Sequence, residues 1–232
     1  MSCLGLVGSG AMLATGAVVN KSEKKNEMER ALKGRSPEQQ QIIKYFYQSG
    51  GCMSSPISDD EYESRVMAKA KSMDFKQKAL DKIGLDESQV NEVNPIHFEN
   101  YLYNDKTAYA LRGKDGLWRS SKYQITWIFF SSTQVYLYQY TFNMDEDGKK
   151  ESTEEYFYKD ITSFSAGSDT IEKEVAGKTS CTGDTEYVRS TVEYNRFAIV
   201  VPGDKFYAAM NQNDYTEKAI KGMQAKLREK KG

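Results

Sequence analysis

Apolar and polar residues alternate most regularly in the middle of the chain, in three strand-like runs. The runs cover residues 123–130, 135–142 and 155–161, within the stretch 123–165. They are rich in aromatic and β-branched side chains, which pack well on the pleated surface of a half-buried sheet. We therefore predict consecutive antiparallel strands here and expect this stretch to form the structural centre of the fold.

The same period-two pattern continues on both sides of this centre. Further predicted strands are residues 96–103, 107–112, 171–175, 187–192 and 196–201. Polar and glycine-containing sequences at residues 113–116, 145–148 and 166–169 predict turns between strands. Seven or eight short strands separated by such turns are typical of an antiparallel barrel or sandwich.

The chain before residue 96 has helical periodicity instead. Ser36, followed by a proline, predicts an N-cap, and Ser58 with Glu61 predicts a capping box. Gly84 stands where a glycine in the left-handed conformation commonly ends a helix. Several helices are therefore predicted within residues 21–95.

An amphipathic helix is predicted at the C-terminal end. Its apolar stripe is Ile220, Met223 and Leu227, and Asp214 with Glu217 is its predicted capping pair. The predicted fold class is therefore α+β: a helical N-terminal region, then an antiparallel β-barrel or sandwich capped by this helix. We divide the chain into residues 1–20, 21–95 and 96–232.

Composition describes an ordinary globular protein of 232 residues, with 39% hydrophobic and 28% charged residues. The formal net charge of −1 provides no overall positive field, so we expect no nucleic-acid partner. The three cysteines, Cys3, Cys52 and Cys181, give neither a disulfide framework nor the spacing of a zinc site. They suit a reducing compartment, and we expect a cytoplasmic protein.

Residues 1–20 contain no charged side chain and are rich in glycine and alanine. Their length is the minimum that spans a hydrocarbon core of about 30 Å, which makes this segment a candidate membrane anchor. Small residues such as Gly10 and Ala14 would also let such helices associate into a homo-oligomer. The lysines and arginines that follow, between Lys21 and Arg35, would hold the remaining chain at the cytoplasmic face. A glycine-rich N-terminus with no membrane role is the alternative.

Three strand-like runs and the final helix resemble a known family. Residues 135–142, 156–165 and 196–201, with the helix from Asp214, resemble bacterial pleckstrin-homology-like (PH-like) domains. The resemblance covers about residues 96–231 and implies a barrel capped by a helix. In lipid-binding members, basic residues around the first hairpin bind an anionic headgroup. The residues in the corresponding place are Arg112, Lys114, Arg119 and Lys122, although their spacing departs from that pattern.

One turn has the oxygen ligands of a calcium-binding loop. The candidate ligands are Asn143, Asp145, Asp147, Glu151 and Glu154, with Gly148 at the sixth position. The flanking runs are strand-like rather than helical, and a polar hairpin turn explains the same residues. His97 is the only histidine, so no zinc site and no other cofactor are predicted.

No catalytic residue stands out, and we expect a non-enzymatic binding or scaffolding module for a protein or peptide partner. The alternative is a small enzyme or ligand carrier with its cavity inside the β-barrel. A pocket lined by His97, a cysteine and a carboxylate would favour that alternative.

Overall fold

The computed structural model describes residues 21–48, 57–179 and 185–232. The candidate anchor, residues 1–20, and all three cysteines lie outside the described residues, so the predictions on them stay predictions. Among the helices of the described part, none is long and apolar enough to cross a membrane.

Helices come first in the described chain, then strands, then one closing helix. The helices are α1 (Lys21–Leu32), α2 (Pro37–Phe46), α3 (Asp59–Ala70), α4 (Phe75–Ile83) and α5 (Asp214–Lys231), with a 3₁₀ turn at Glu87–Gln89. The strands are β1 (Val93–Tyr101), β2 (Ala110–Arg112), β3 (Trp118–Ser120), β4 (Lys122–Phe130), β5 (Gln134–Asn143), β6 (Lys149–Phe157), β7 (Ser163–Thr179), β8 (Thr185–Val201) and β9 (Asp204–Ala209). The α+β class is therefore confirmed.

The predicted helix ends are largely confirmed. The Ser36 hydroxyl accepts a hydrogen bond from the backbone N–H three residues later, and the Ser58 hydroxyl does the same for α3. The predicted capping box at Ser58 is only half formed, because the Glu61 carboxylate accepts from Arg65 instead of from the Ser58 backbone. Gly84 ends α4 with φ of 78°, a conformation that favours glycine. The predicted cap of α5 is wrong by one residue. Asn213 is its N-cap, because Asn213 and Thr216 exchange the reciprocal bonds of a capping box.

The strands form open antiparallel sheets. The larger sheet has the order β1-β4-β5-β6, the second has the order β7-β8-β9, and β2 pairs with β3. Consecutive antiparallel strands were predicted for the centre, and β4 and β5 pair there over nine registered positions. The described strands form no closed barrel, because β6 and β7 belong to different sheets.

Three predicted strand boundaries are wrong. The run predicted to continue to residue 161 ends at Phe157, and residues 158–160 make a turn. The break predicted at residues 166–169 is absent, because β7 continues through Gly167 in register with β8. Much of this ribbon is exposed, so polar residues fit either face, and Ser168 Oγ donates to Asn195 Oδ1. Likewise, the last two predicted strands are one strand, β8.

The helices pack on one face of the four-stranded sheet. Tyr123, Ile125 and Phe129 of β4 are buried on that face in a cluster with residues of α2, α3 and α4. At its centre, the ring of Tyr62 in α3 stacks on Tyr45 with centroids 4.7 Å apart. The Tyr62 hydroxyl donates to the backbone carbonyl of Ser120, the last residue of β3, at 2.6 Å. Helices and sheet thus share one core.

The opposite face of the same sheet packs against the second sheet and α5. Phe98 and Ile128 lie there with Phe197 of β8 and Met223 of α5. The rings of Phe98 and Phe197 are 4.9 Å apart. Both faces of the four-stranded sheet are therefore covered, which explains why its central strands are apolar on both sides.

Side-chain amides fix how the two sheets meet. Gln124 Oε1 accepts from the backbone N–H of Ala209 at 2.8 Å, and Gln139 Nε2 donates to the carbonyl of Tyr207 at 2.9 Å. These amides satisfy backbone groups of β9 that no neighbouring strand pairs. The edge of β9 therefore packs against the face of the larger sheet, and a cleft lies beside this contact.

Candidate functional site

The candidate site is a cleft between the larger sheet and the outer face of β8 and β9, here called the intersheet cleft. Its volume is about 390 Å³. Its walls come from the loop after β1, from β4 to β6, and from β8 and β9. Side chains that define it are Tyr103, Lys122, Gln124, Thr141, Arg196 and Tyr207.

Positive side chains outnumber negative ones along the intersheet cleft. Lys122, Lys149, Lys150 and Arg196 line it, against one carboxylate, Asp105. Lys122 is buried, and its ammonium group donates to Asp105 Oδ2 at 3.0 Å. Burial alone would raise the pKa of Asp105. Hydrogen bonds from Thr107 and Lys122 outweigh the effect of burial, so the pKa of Asp105 lies below its ordinary value. The cleft therefore favours anionic groups.

One wall of the cleft is an aromatic and guanidinium pair. The Arg196 guanidinium carbon lies 4.3 Å from the centre of the Tyr207 ring, which is 38% exposed. Arg196 also pairs with Asp169 at 3.0 Å, and both side chains are partly exposed. An ion pair of this kind contributes little to stability, so a ligand carboxylate could replace Asp169 at small cost.

The cleft floor is polar and already hydrogen-bonded. Gln124 Nε2 donates to Thr141 Oγ1 at 3.2 Å, while its carbonyl oxygen holds β9. Gln139 donates to both Thr126 Oγ1 and the β9 backbone. The floor is therefore held in one arrangement before any ligand binds, which lowers the ordering cost of binding.

The four basic residues of the predicted headgroup site do not come together. Arg112 and Lys114 lie on the exposed β2–β3 hairpin, where Arg112 Nε donates to the carbonyl of Gly116. Arg119 is buried among carboxylates, and only Lys122 lines the intersheet cleft. The structure therefore divides these residues among three environments.

Arg119 has a structural position. Its side chain is 2% exposed, and it makes two parallel hydrogen bonds to Asp115 at 3.0 and 2.7 Å and one to Glu63 at 2.9 Å. Asp59, at the start of α3, accepts from the Tyr45 hydroxyl and from a backbone N–H of the hairpin. These contacts dock the β2–β3 hairpin on α3.

The five candidate calcium ligands also have separate surroundings. They are Asn143, Asp145, Asp147, Glu151 and Glu154, at the β5–β6 hairpin. Asp145 is buried, Asp147 accepts from Gln39, and Glu151 pairs with Lys78 at 2.9 Å. Across the ranges that the structure describes, no group of three or more His, Cys, Asp or Glu side chains could hold a metal ion.

The pKa values of two carboxyl groups are shifted in opposite directions from the ordinary value of an aspartate. Hydrogen bonds from Arg119 lower the pKa of Asp115 to about 2, whereas burial raises the pKa of Asp145. Stability from Asp115 is thus lost as pH falls from 3.8 towards 2. For Asp145 the sign is opposite: stability is lost as pH rises from 3.8 towards the raised pKa of the folded state, because the unfolded chain ionises first. Carbon-13 NMR titration of the side-chain carboxyls checks this. Titration of Asp145 at or below the Asp115 midpoint would contradict it.

His97 lies apart from the cleft. Its ring stacks on Trp127 at 5.0 Å and lies 5.7 Å from the ring of Tyr215. It therefore forms part of an aromatic cluster between β1, β4 and α5.

Sequence reasoning missed the intersheet cleft, although one signal for it was present. Gln124 and Thr126 interrupt the apolar run of β4 at alternate positions, and Gln139 and Thr141 do the same in β5. Alternate positions of a strand lie on one face, so these four residues mark a polar patch on an otherwise buried sheet. Arg196 and Tyr207, which also line the cleft, are more than 50 residues away in the sequence.

Comparisons of the chain with protein-family models, with curated proteins and with solved structures found no match.

Proposed function

We propose that this protein is a non-enzymatic binding module that holds an acidic, extended peptide segment of a protein partner in the intersheet cleft. The observation that carries this proposal is the Arg196–Tyr207 wall, which faces a pre-ordered polar floor across an open cleft. Preformed concave sites with a few converging polar groups are the usual form of a ligand site.

The chemistry of the cleft favours a carboxylate-bearing ligand. A planar guanidinium donates two parallel hydrogen bonds to a carboxylate, and the tyrosine ring beneath Arg196 keeps the guanidinium oriented. Lys122, whose ammonium group is paired with Asp105, is a second cation in the cleft lining. Tyr194 and Tyr207 offer aromatic surface to an apolar residue between two acidic ones.

An acidic peptide tests this proposal directly. A fluorescein-labelled peptide Gly-Glu-Glu-Phe-Glu-Glu-Gly should bind the full chain, and binding should weaken with added salt. Arg196→Glu should weaken this binding at least about tenfold, because it reverses charge in the cleft. Fluorescence anisotropy measures both effects.

The matched control lies on the same strand. Arg189 is 59% exposed and pairs with Glu174 away from the cleft, so Arg189→Glu makes the same charge change. It should leave peptide affinity within about twofold at physiological salt, because exposed charges beyond about 8 Å are screened. Equal weakening by both substitutions, or equal binding of the lysine counterpart Gly-Lys-Lys-Phe-Lys-Lys-Gly, would contradict the proposal.

We also propose that residues 96–232 form a PH-like domain. A four-stranded antiparallel sheet, a three-stranded one and a C-terminal helix follow one another in the chain, which supports this proposal. The membrane tether through residues 1–20 and a cytoplasmic location remain part of the proposed function. Membrane fractionation of the full chain against a chain that lacks residues 1–20 tests the tether, and equal solubility of both would rule it out.

The enzyme or carrier alternative has no specific support in the described residues. His97 does not line the intersheet cleft, and it contacts aromatic rings rather than a carboxylate. Binding is therefore the function that the described geometry supports best.

A further inference from the structure

Strand β6 is one edge of the four-stranded sheet, and β1 is the other. The other edge strands each use at least one backbone group outside their sheet: β1 through Tyr215, β7 through Gln224, and β9 through Gln124 and Gln139. Between residues 150 and 156, the described structure gives β6 no backbone bond except those to β5. Strand β9 covers only residues 196–201 of β8, and the rest of this strand includes residues that contact α1.

Such an edge is a template for another strand. Half of its N–H and C=O groups point outward, and an added strand would pair with them. Most of its side chains are exposed, so little would obstruct an approaching backbone. Phe157, at one end of the strand, is 47% exposed although it is large and apolar.

The charged residues of β6 are ordered so that two antiparallel copies of the strand are complementary in charge. Its sequence from residue 149 is Lys-Lys-Glu-Ser-Thr-Glu-Glu. In an antiparallel pair of two copies centred on Ser152, Lys149 lies opposite the partner's Glu155. Lys150 then lies opposite the partner's Glu154. By symmetry each contact occurs twice, which gives four pairs of opposite charge.

We propose that two copies of this chain form a two-fold symmetric dimer through antiparallel pairing of β6. The two four-stranded sheets then join into one continuous eight-stranded sheet. A two-fold interface of this kind must be complementary to itself, and the charge order of β6 meets that condition. Cross-strand pairs of opposite charge stabilise a sheet, whereas like charges opposite each other destabilise it.

The same charges exclude the competing arrangements. Parallel pairing in register would place lysine opposite lysine and glutamate opposite glutamate. Antiparallel pairing centred one residue away, on Glu151, would place that carboxylate opposite itself. It would also place Lys149 opposite Thr153 and Lys150 opposite Ser152, so neither lysine would face a glutamate. Only the register centred on Ser152 pairs both lysines with both terminal glutamates.

The dimer would lie beside the intersheet cleft without closing it. Lys149 and Lys150 line the cleft and would be engaged by the partner's Glu155 and Glu154, so they would no longer attract a ligand. Arg196 and Tyr207 are contributed by β8 and β9, and they would stay available in each copy. The dimer therefore leaves in place the wall that carries the peptide-binding proposal.

Charge-reversal variants of the full chain test the dimer by sedimentation velocity. Lys149→Glu with Lys150→Glu should raise the dimer dissociation constant on the order of 100-fold, because four attractive pairs become repulsive. Glu154→Lys with Glu155→Lys should do the same. Mixing these two double variants should restore a dimer, because every pair is then of opposite charge. The variant with all four changes should dimerise like the unchanged chain.

A control variant and a crosslink complete the test. Lys218→Glu with Lys221→Glu makes the same charge change on the exposed face of α5, and it should leave the dimer unchanged. With the three native cysteines replaced by serine, Ser152→Cys should form an intermolecular disulfide more readily than Thr153→Cys, because only residue 152 faces itself. The proposal is overturned if the unchanged chain is monomeric at about 100 µM, if either double variant stays dimeric, or if mixing fails to restore the dimer.

Discussion

Replacing Arg119 by alanine should lower the free energy of unfolding by about 3 kcal/mol. The substitution removes a side chain that is 2% exposed and leaves Asp115 and Glu63 without their shared cation. Removal of one partner of a buried pair typically costs 3–5 kcal/mol, and the lower end applies because both carboxylates are partly exposed. Urea denaturation followed by circular dichroism measures the change.

Two variants separate the charge of Arg119 from its packing. Arg119→Met keeps most of the side-chain volume and should cost less than alanine. Arg112→Ala removes an exposed arginine of the same hairpin and should change stability by less than about 0.5 kcal/mol. If Arg112→Ala proved as costly as Arg119→Ala, the buried cluster would not be what docks the hairpin.

Replacing Tyr62 by alanine should destabilise the whole molecule by about 4 kcal/mol. Tyr62 is fully buried between α2, α3 and the sheet, and its hydroxyl satisfies a buried carbonyl. Since helices and sheet share a core, we expect one unfolding transition at lower denaturant rather than early loss of the helices alone.

Phe197→Ala is the matched change on the opposite face of the sheet. Phe197 is also fully buried, and its loss should lower the same single transition by about 3–5 kcal/mol. Tyr215→Ala removes a tyrosine that is 47% exposed and should cost about 1 kcal/mol or less. Separate transitions for the helices and the sheets would contradict the shared core.

Local features of the fold, such as helix caps, could be predicted from the sequence. The ends of the strands and whether the sheets close into a barrel could not. Ser36, Ser58 and Gly84 act within one helical turn, and each was predicted at the correct residue. The cap of α5 was misplaced because Asn213 and Asp214 are both good N-caps. Gly167 looked like a break, yet its backbone pairs fully with β8, a contact distant in sequence.

The candidate site shows the same division more strongly. Sequence reasoning concentrated on charged turns, such as the one that contains Asp145, where the residues are close in sequence. The intersheet cleft instead combines Lys122, Arg196 and Tyr207, which come together only because β9 docks on the larger sheet. That docking depends on Gln124, which the sequence marks only as a polar residue in an apolar strand.

The central claim is that the intersheet cleft holds an acidic peptide, and hydrogen–deuterium exchange of the full chain tests it most directly. Saturation with Gly-Glu-Glu-Phe-Glu-Glu-Gly should slow amide exchange in residues 101–105 and 207–209 and at Tyr194 and Arg196, which line the cleft. Exchange in α3 and along the exposed face of α5 should not change. Protection confined to other elements, or no protection at saturating peptide, would contradict the claim.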